Sequence, residues 1–211
     1  MDKTAPRRYR GQSPDTRQAQ RRQQLLDAAL TVIGERGFSS MTVKSVCQTA
    51  GLTERYFYES FSNRDALLAE LYQQQTQSLR HTMYNALENP VANADQFVRN
   101  GLGAFFDFVQ HQPAAARLVL FEVLAVSREI DQLYYQAMED FAALVQQLAH
   151  RQNIATIPPP ADENMVYAGL VGAVVQIAQR WVLGGYHQPR SAVLESAVLI
   201  FAATANFGSD S

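Results

Sequence analysis

The chain has 211 residues, 47% of them hydrophobic, enough to bury a substantial core in one large domain or two small ones. Net charge is −2, yet residues 1–72 hold 11 Lys or Arg against 8 Asp or Glu while the remainder hold 7 against 12, a basic head on an acidic body. The only cysteine, Cys47, excludes a disulfide framework and a cysteine-based zinc site within one chain.

Residues 1–16 combine Pro6, Gly11 and Pro14 with Lys3, Arg7, Arg8 and Arg10, the composition of a flexible basic arm. A first helix is predicted from about residue 16 to 35, with Leu26, Ala29, Leu30 and Ile33 on one face and Gly34 and Gly37 at its end. Thr42 precedes a second apolar series at Val43, Val46, Cys47 and Ala50, which Gly51 stops by supplying a positive φ. Thr53 is placed to cap a third helix through Glu54 to about Phe61, so residues 42–61 read as helix, short glycine-containing turn, helix.

On that third helix Phe57 and Phe61 share an anchoring face with Leu52, leaving Glu54, Arg55, Tyr56, Tyr58, Glu59 and Ser60 on the others. A firmly anchored helix with a polar N-terminal face is what a DNA major groove requires of a reading element. Sixteen of the 18 basic residues are Arg, which suits bidentate contacts to phosphate and guanine. Beside such a helix, the arm with Arg7, Arg8 and Arg10 either enters the adjacent minor groove or is simply solvated.

Thr42, Val46, Ala50-Gly51-Leu52-Thr53, Tyr58, Phe61 and Asn63-Arg64-Asp65-Ala66-Leu67 together resemble the DNA-binding domain of the TetR-type (tetracycline-repressor-like) transcriptional regulators. The resemblance spans about residues 20–72 and implies DNA contacts from Thr42, Lys44, Thr53, Glu54, Arg55, Tyr56, Tyr58 and Arg64. Arg64 stands where the family usually has lysine, and Arg55 and Tyr56 replace small residues common early in the reading helix. Arg55 and Tyr56 are expected to face base edges, with Thr42, Lys44, Tyr58 and Arg64 on phosphates.

Ser62 is expected to cap a fourth helix with Asp65 placed as in a capping box, and the pattern runs to about Leu87 before Asn89-Pro90. Further helices are predicted at about 94–110, 114–125, 128–151, 162–184 and 191–206, with no strand-like alternation and no internal repeat. The expected fold is therefore all-α with about nine helices: a flexible arm (1–16), a three-helix helix-turn-helix head (17–64), and a helical ligand-binding and dimerisation body (65–211).

The last two helices are nearly apolar all round, which predicts burial against a second copy, with Val174, Val175 and Val198 at the interface. Aromatic residues crowd the middle of the body, either as plain core or as the lining of an apolar ligand cavity. Phe105, Tyr134, Met138, Phe141, Gln176 and Trp181 are the candidate ligand contacts. The four histidines are scattered without ligand spacing, and no phosphate loop or nucleophile motif occurs, so neither a cofactor, a metal nor an enzymatic activity is expected. Cys47 reads as a small buried hydrophobe.

The polar opening of the sequence and a longest apolar run of 11 residues, Met165 to Val175, argue for a cytoplasmic protein without a membrane partner. Two functions fit the residues. One is a homodimeric regulator, most simply a repressor, that binds a palindromic double-stranded operator and is released by a small apolar or amphipathic effector. The other is an all-α ligand-binding protein or enzyme whose helix-turn-helix serves only packing.

Overall fold

The computed structural model describes residues 14–154, 157 and 159–206, and every regular element among them is helical. The arm residues Arg7, Arg8 and Arg10 lie outside the described residues. In chain order the helices are α1 (Pro14–Arg36), α2 (Val43–Ala50), α3 (Glu54–Ser60), α4 (Arg64–Leu87), α5 (Ala94–His111), α6 (Pro113–Arg117), α7 (Arg128–Arg151), α8 (Glu163–Leu183) and α9 (Arg190–Asn206).

Helix α1 buries Leu25, Leu26, Ala29, Val32 and Ile33 and runs straight through Gly34 to stop at Gly37, whose φ is 78°. Gly34 is therefore interior to the helix and not its end: a Cβ there would lie 2.6 Å from the Ala114 Cβ, so the glycine lets α6 approach α1 closely. Thr42 forms a reciprocal capping box with Ser45 at the start of α2, and Gly51 in the left-handed region ends it. Helix α4 is capped by Asn63, whose side chain accepts from the Ala66 amide at 2.8 Å. The cap falls one residue beyond the expected Ser62, because the backbone stays extended through Phe61 and Asn63 and the Asn63 side chain reaches the third helical amide. With the cap at Asn63, Asp65 is not at the position a capping box needs.

The predicted helix at 114–125 is interrupted. After Arg117 the chain widens into a π-helical turn, Leu118–Glu122, and only α6 is α-helical. Gln179 of α8 donates to the Leu120 carbonyl at 2.8 Å, satisfying an acceptor in the widened turn.

One hydrophobic cluster fills the head and continues through Leu67, Leu68, Leu71 and Tyr72 of α4 to Leu118, Val119 and Val123. Two more clusters fill the body between α4, α5, α7, α8 and α9. Head and body thus share apolar contact at α4 and at the π turn.

Helix α8 corrects one sequence expectation. Its longest unbroken apolar run is short, but its full 21 residues are long and apolar enough to cross a membrane by length and composition. In the fold its inward side packs on α7 and α9.

Candidate DNA-reading face and body cavity

Phe57 is fully buried and Phe61 nearly so, their ring centroids 5.7 Å apart, which fixes α3 against α1 and α2. Burying each ring stabilises the head by roughly 2–3 kcal/mol. Arg22 of α1 reinforces the joint: its guanidinium lies 4.3 Å over the Phe61 ring, pairs with Glu70 of α4 and donates to the Ser60 carbonyl. Three helices are tied at one cation, which sequence periodicity does not reveal.

With α3 held this way, Thr42, Lys44, Thr53, Glu54, Arg55 and Tyr58 leave side chains accessible on one end of the molecule. Thr53 occupies the cap position of α3, but its side chain makes no cap hydrogen bond. Arg55 donates to Glu59 at 2.9 Å along the helix. Tyr56 is half-buried, with the Arg21 guanidinium 4.5 Å from its ring centre, so α1 restricts it. Arg64 is also half-buried: it donates to the Met41 carbonyl and lies 5.1 Å over the Phe38 ring, so part of its donor capacity is spent holding the loop before α2. Cys47 is buried, and burial pushes its thiol pKa up, as expected of a packing residue.

Below the head, the body holds an apolar cavity of about 70 Å³. Its lining residues on α4 run from Tyr72 to Leu87, about 22 Å of helix at 1.5 Å per residue. Phe105, Tyr134, Met138 and Phe141, four of the candidate ligand contacts, line it. Tyr72, Val119, Leu120 and Val145 are lining residues that the aromatic pattern does not identify. The apolar stripe Leu68, Tyr72, Leu79, Met83 and Leu87 at helical spacing on α4 is the signal that points to one of them. Burial raises the phenol pKa of Tyr72, with a contribution from nearby Tyr134, and burial raises that of Tyr134 too, so both remain neutral donors.

Gln176 and Trp181 do not belong to this cavity. Gln176 is exposed on the outer side of α8, because an α-helix of this length turns one in three or four residues away from its bundle. Trp181 is buried, but its Nε1 donates to the Gln188 carbonyl at 2.9 Å and its ring meets Phe106 and Tyr186 edge-on, pinning the turn between α8 and α9.

The valines expected at an interface lie elsewhere as well. Val174 and Val198 are 8% and 5% exposed, inside one chain, and Val174 and Val175 line the cavity. The outward side of α8 and α9 instead shows Met165, Leu183, Leu199 and Ile200, at 74%, 77%, 69% and 38% exposure. Gly169 and Gly172 share that side, with nothing within 4 Å of where a Cβ would stand. All-round apolarity does not tell which side of these helices is already covered; packing does.

Among the described residues no group of three or more His, Cys, Asp or Glu is arranged to hold a metal ion. The sequence model of the family described as bacterial regulatory proteins, tetR family, matches residues 25–71. The HTH-type transcriptional activator FasR of Mycolicibacterium smegmatis is 26% identical over 163 residues, 77% of this chain and 73% of that protein. The fatty acid degradation regulator FadR from Bacillus halodurans superposes with a TM-score of 0.74 at 14% identity, covering 90% of this chain and 96% of that one. FadR from Bacillus subtilis, in complex with stearoyl-CoA, gives 0.70 at 16%, over 84% and 96%. These relatives are regulators. With its reading helix exposed, the chain is a DNA-binding transcriptional regulator whose head, residues 25–71, matches the tetR family of bacterial regulatory proteins.

Proposed function

We propose that the protein is a homodimeric, cytoplasmic repressor whose affinity for a palindromic operator falls when a long apolar chain, such as a fatty acyl group, occupies the body cavity. In this reading residues 17–64 form the head and 65–211 the body. Arg55 and Tyr56 face base edges, and Thr42, Lys44, Thr53, Tyr58 and Arg64 hold phosphates, while Glu54 flanks the reading face. The arm residues Arg7, Arg8 and Arg10 add minor-groove or phosphate contacts.

The observation that carries the ligand class is the cavity's lining: almost wholly carbon, drawn from residues spread over about 22 Å of α4, with its side-chain polar atoms confined to the two tyrosines. At about 70 Å³ it must widen to admit a chain, so binding necessarily moves helices. The Bacillus subtilis regulator seen with stearoyl-CoA supports the same class. The exposed apolar side of α8 and α9 supports pairing with a second copy, which sets two heads at a fixed spacing.

The test is selection of bound DNA from a random pool, followed by operator titration with and without stearoyl-CoA. A two-fold symmetric half-site pair is expected, with operator affinity lowered by acyl-CoA and, by linkage, acyl-CoA affinity lowered equally by operator. Unchanged operator affinity at saturating acyl-CoA would reject this effector class, and tighter binding would make the ligand a recruiter of DNA.

A further inference from the structure

We propose that Glu122, at the end of the π-helical turn, is the positioning residue that reports the state of the body cavity to the DNA-reading head. This rests on the cavity being the effector site. The carboxylate belongs to the body in sequence but is spent on the head: its Oε2 accepts from the Phe38 amide at 2.7 Å across 84 residues, and its Oε1 accepts from Arg117 Nε at 2.7 Å. At 14% side-chain exposure it is largely removed from water, where such charge-assisted bonds are stronger and a replacement by solvent is poorer.

On the body side, the same five-residue turn carries Val119 and Leu120 into the cavity wall. Val119 belongs to the head-side hydrophobic cluster and Leu120 to the body cluster, so the turn sits astride the two cores. A π-helical turn has an extra residue in its ring, and returning it to α-helical winding rotates the residue at its end by about 100° around the axis. Glu122 is that residue. A chain lodged against Val119 and Leu120 therefore displaces the carboxylate directly, without first bending α4.

On the head side, the acceptor contact enters at the most sensitive place. Gly37 turns the chain with φ 78° so that the Phe38 amide points out of the head, and a Cβ there would stand 3.2 Å from both Glu122 oxygens and 3.1 Å from Arg117 Nη2. Only glycine permits this approach with that backbone. The Phe38 ring carries the Arg64 guanidinium, and Arg64 in turn holds the Met41 carbonyl, one residue before the Thr42 cap of the first reading-motif helix. Cavity wall, carboxylate, amide, ring, guanidinium and helix cap form one contiguous series.

The test is a cycle that needs no identified ligand. Val145→Trp, or the milder Val145→Phe, fills the cavity from α7 and stands in for an occupant; Glu122→Ala removes the latch, and the closer Glu122→Gln weakens it by deleting the charge that pairs with Arg117. Affinity for the selected operator is measured by fluorescence anisotropy for the four full-length proteins, with thermal melting to verify that each is folded. Filling the cavity should weaken operator binding roughly fivefold or more when Glu122 is present, and leave it within about twofold in the Glu122 variants. Equal weakening in both backgrounds overturns the latch while leaving the cavity reading intact, since the signal then travels by another path. No weakening in either background overturns the latch and the cavity reading together. Loss of operator binding in folded Glu122→Ala and Glu122→Gln alike also overturns it, because Glu122 would then be part of the head's own framework.

Discussion

Arg55 donates from Nε to the Glu59 carboxylate at 2.9 Å, one turn along the reading helix, so the cation expected to meet a guanine is already paired before DNA arrives. The pair is mostly solvated, with the arginine 84% exposed, and is worth a few tenths of a kcal/mol, about 0.3–0.5. A bidentate guanine contact outweighs it. Arg55→Ala is expected to cost roughly 1–3 kcal/mol with the selected operator and to relax preference at one base position. Glu59→Gln, which frees the guanidinium, should raise affinity for operator and unrelated DNA together. Anisotropy against a panel of single-base operator variants checks both; a uniform loss across the panel for Arg55→Ala would remove the base-reading role.

Arg64 carries two duties, and they separate by measurement. Arg64→Ala removes its contact over Phe38 and its bond to the Met41 carbonyl, which should lower head stability by about 1–2 kcal/mol. Arg64→Lys keeps a cation for phosphate without the planar fork. Denaturant unfolding of both variants, alongside binding to nonspecific DNA at several salt concentrations, should show both destabilised and only the alanine variant with a shallower salt slope. Equal salt slopes in all three proteins would confine Arg64 to a structural role.

The exposed side of α8 and α9 and their buried valines predict opposite outcomes for similar substitutions. Leu199→Asp places a charge on the 69% exposed side and should give folded monomers with weak operator binding. Val198→Asp, at 5% exposure, puts an unpaired charge in the core and should cost on the order of 3–5 kcal/mol, so the protein unfolds before it dissociates. Sedimentation equilibrium with circular dichroism distinguishes the two. A dimeric Leu199→Asp protein would show that the second copy packs elsewhere.

Tyr72 is 2% exposed, and its ring lines the cavity, where burial keeps the phenol protonated. Removing one hydroxyl from a wall that is otherwise carbon changes stability by no more than about 1 kcal/mol. Tyr72→Phe should therefore melt within a few degrees of the wild type. If the hydroxyl orients a polar group of the effector, acyl-CoA affinity measured by calorimetry falls in the same variant; unchanged affinity would leave the hydroxyl without a ligand role.

The sequence by itself determined the elements and the head. Helix spacing, the Thr42 and Gly51 stops and the Phe57–Phe61 anchor are local signals, and each acts within a turn or two of where it is written, so α2, α3 and the all-α class are legible without tertiary information. The exposed positions of Arg55 and Tyr58 come from the same periodicity. Tertiary structure decided the rest, because it depends on contacts between distant segments. Which side of α8 and α9 faces outward cannot be read from helices apolar all round, and so Val174 and Val198 turned inward and Leu183 and Leu199 outward. Trp181 left the cavity because a hydrogen bond to Gln188 holds it at the α8–α9 turn, whereas Tyr72 entered it from a helix whose pattern points to core. Arg22 with Glu70, Gly34 against Ala114, and Glu122 with the Phe38 amide are pairings across 48 to 84 residues, fixed by shape and charge only once the helices have met.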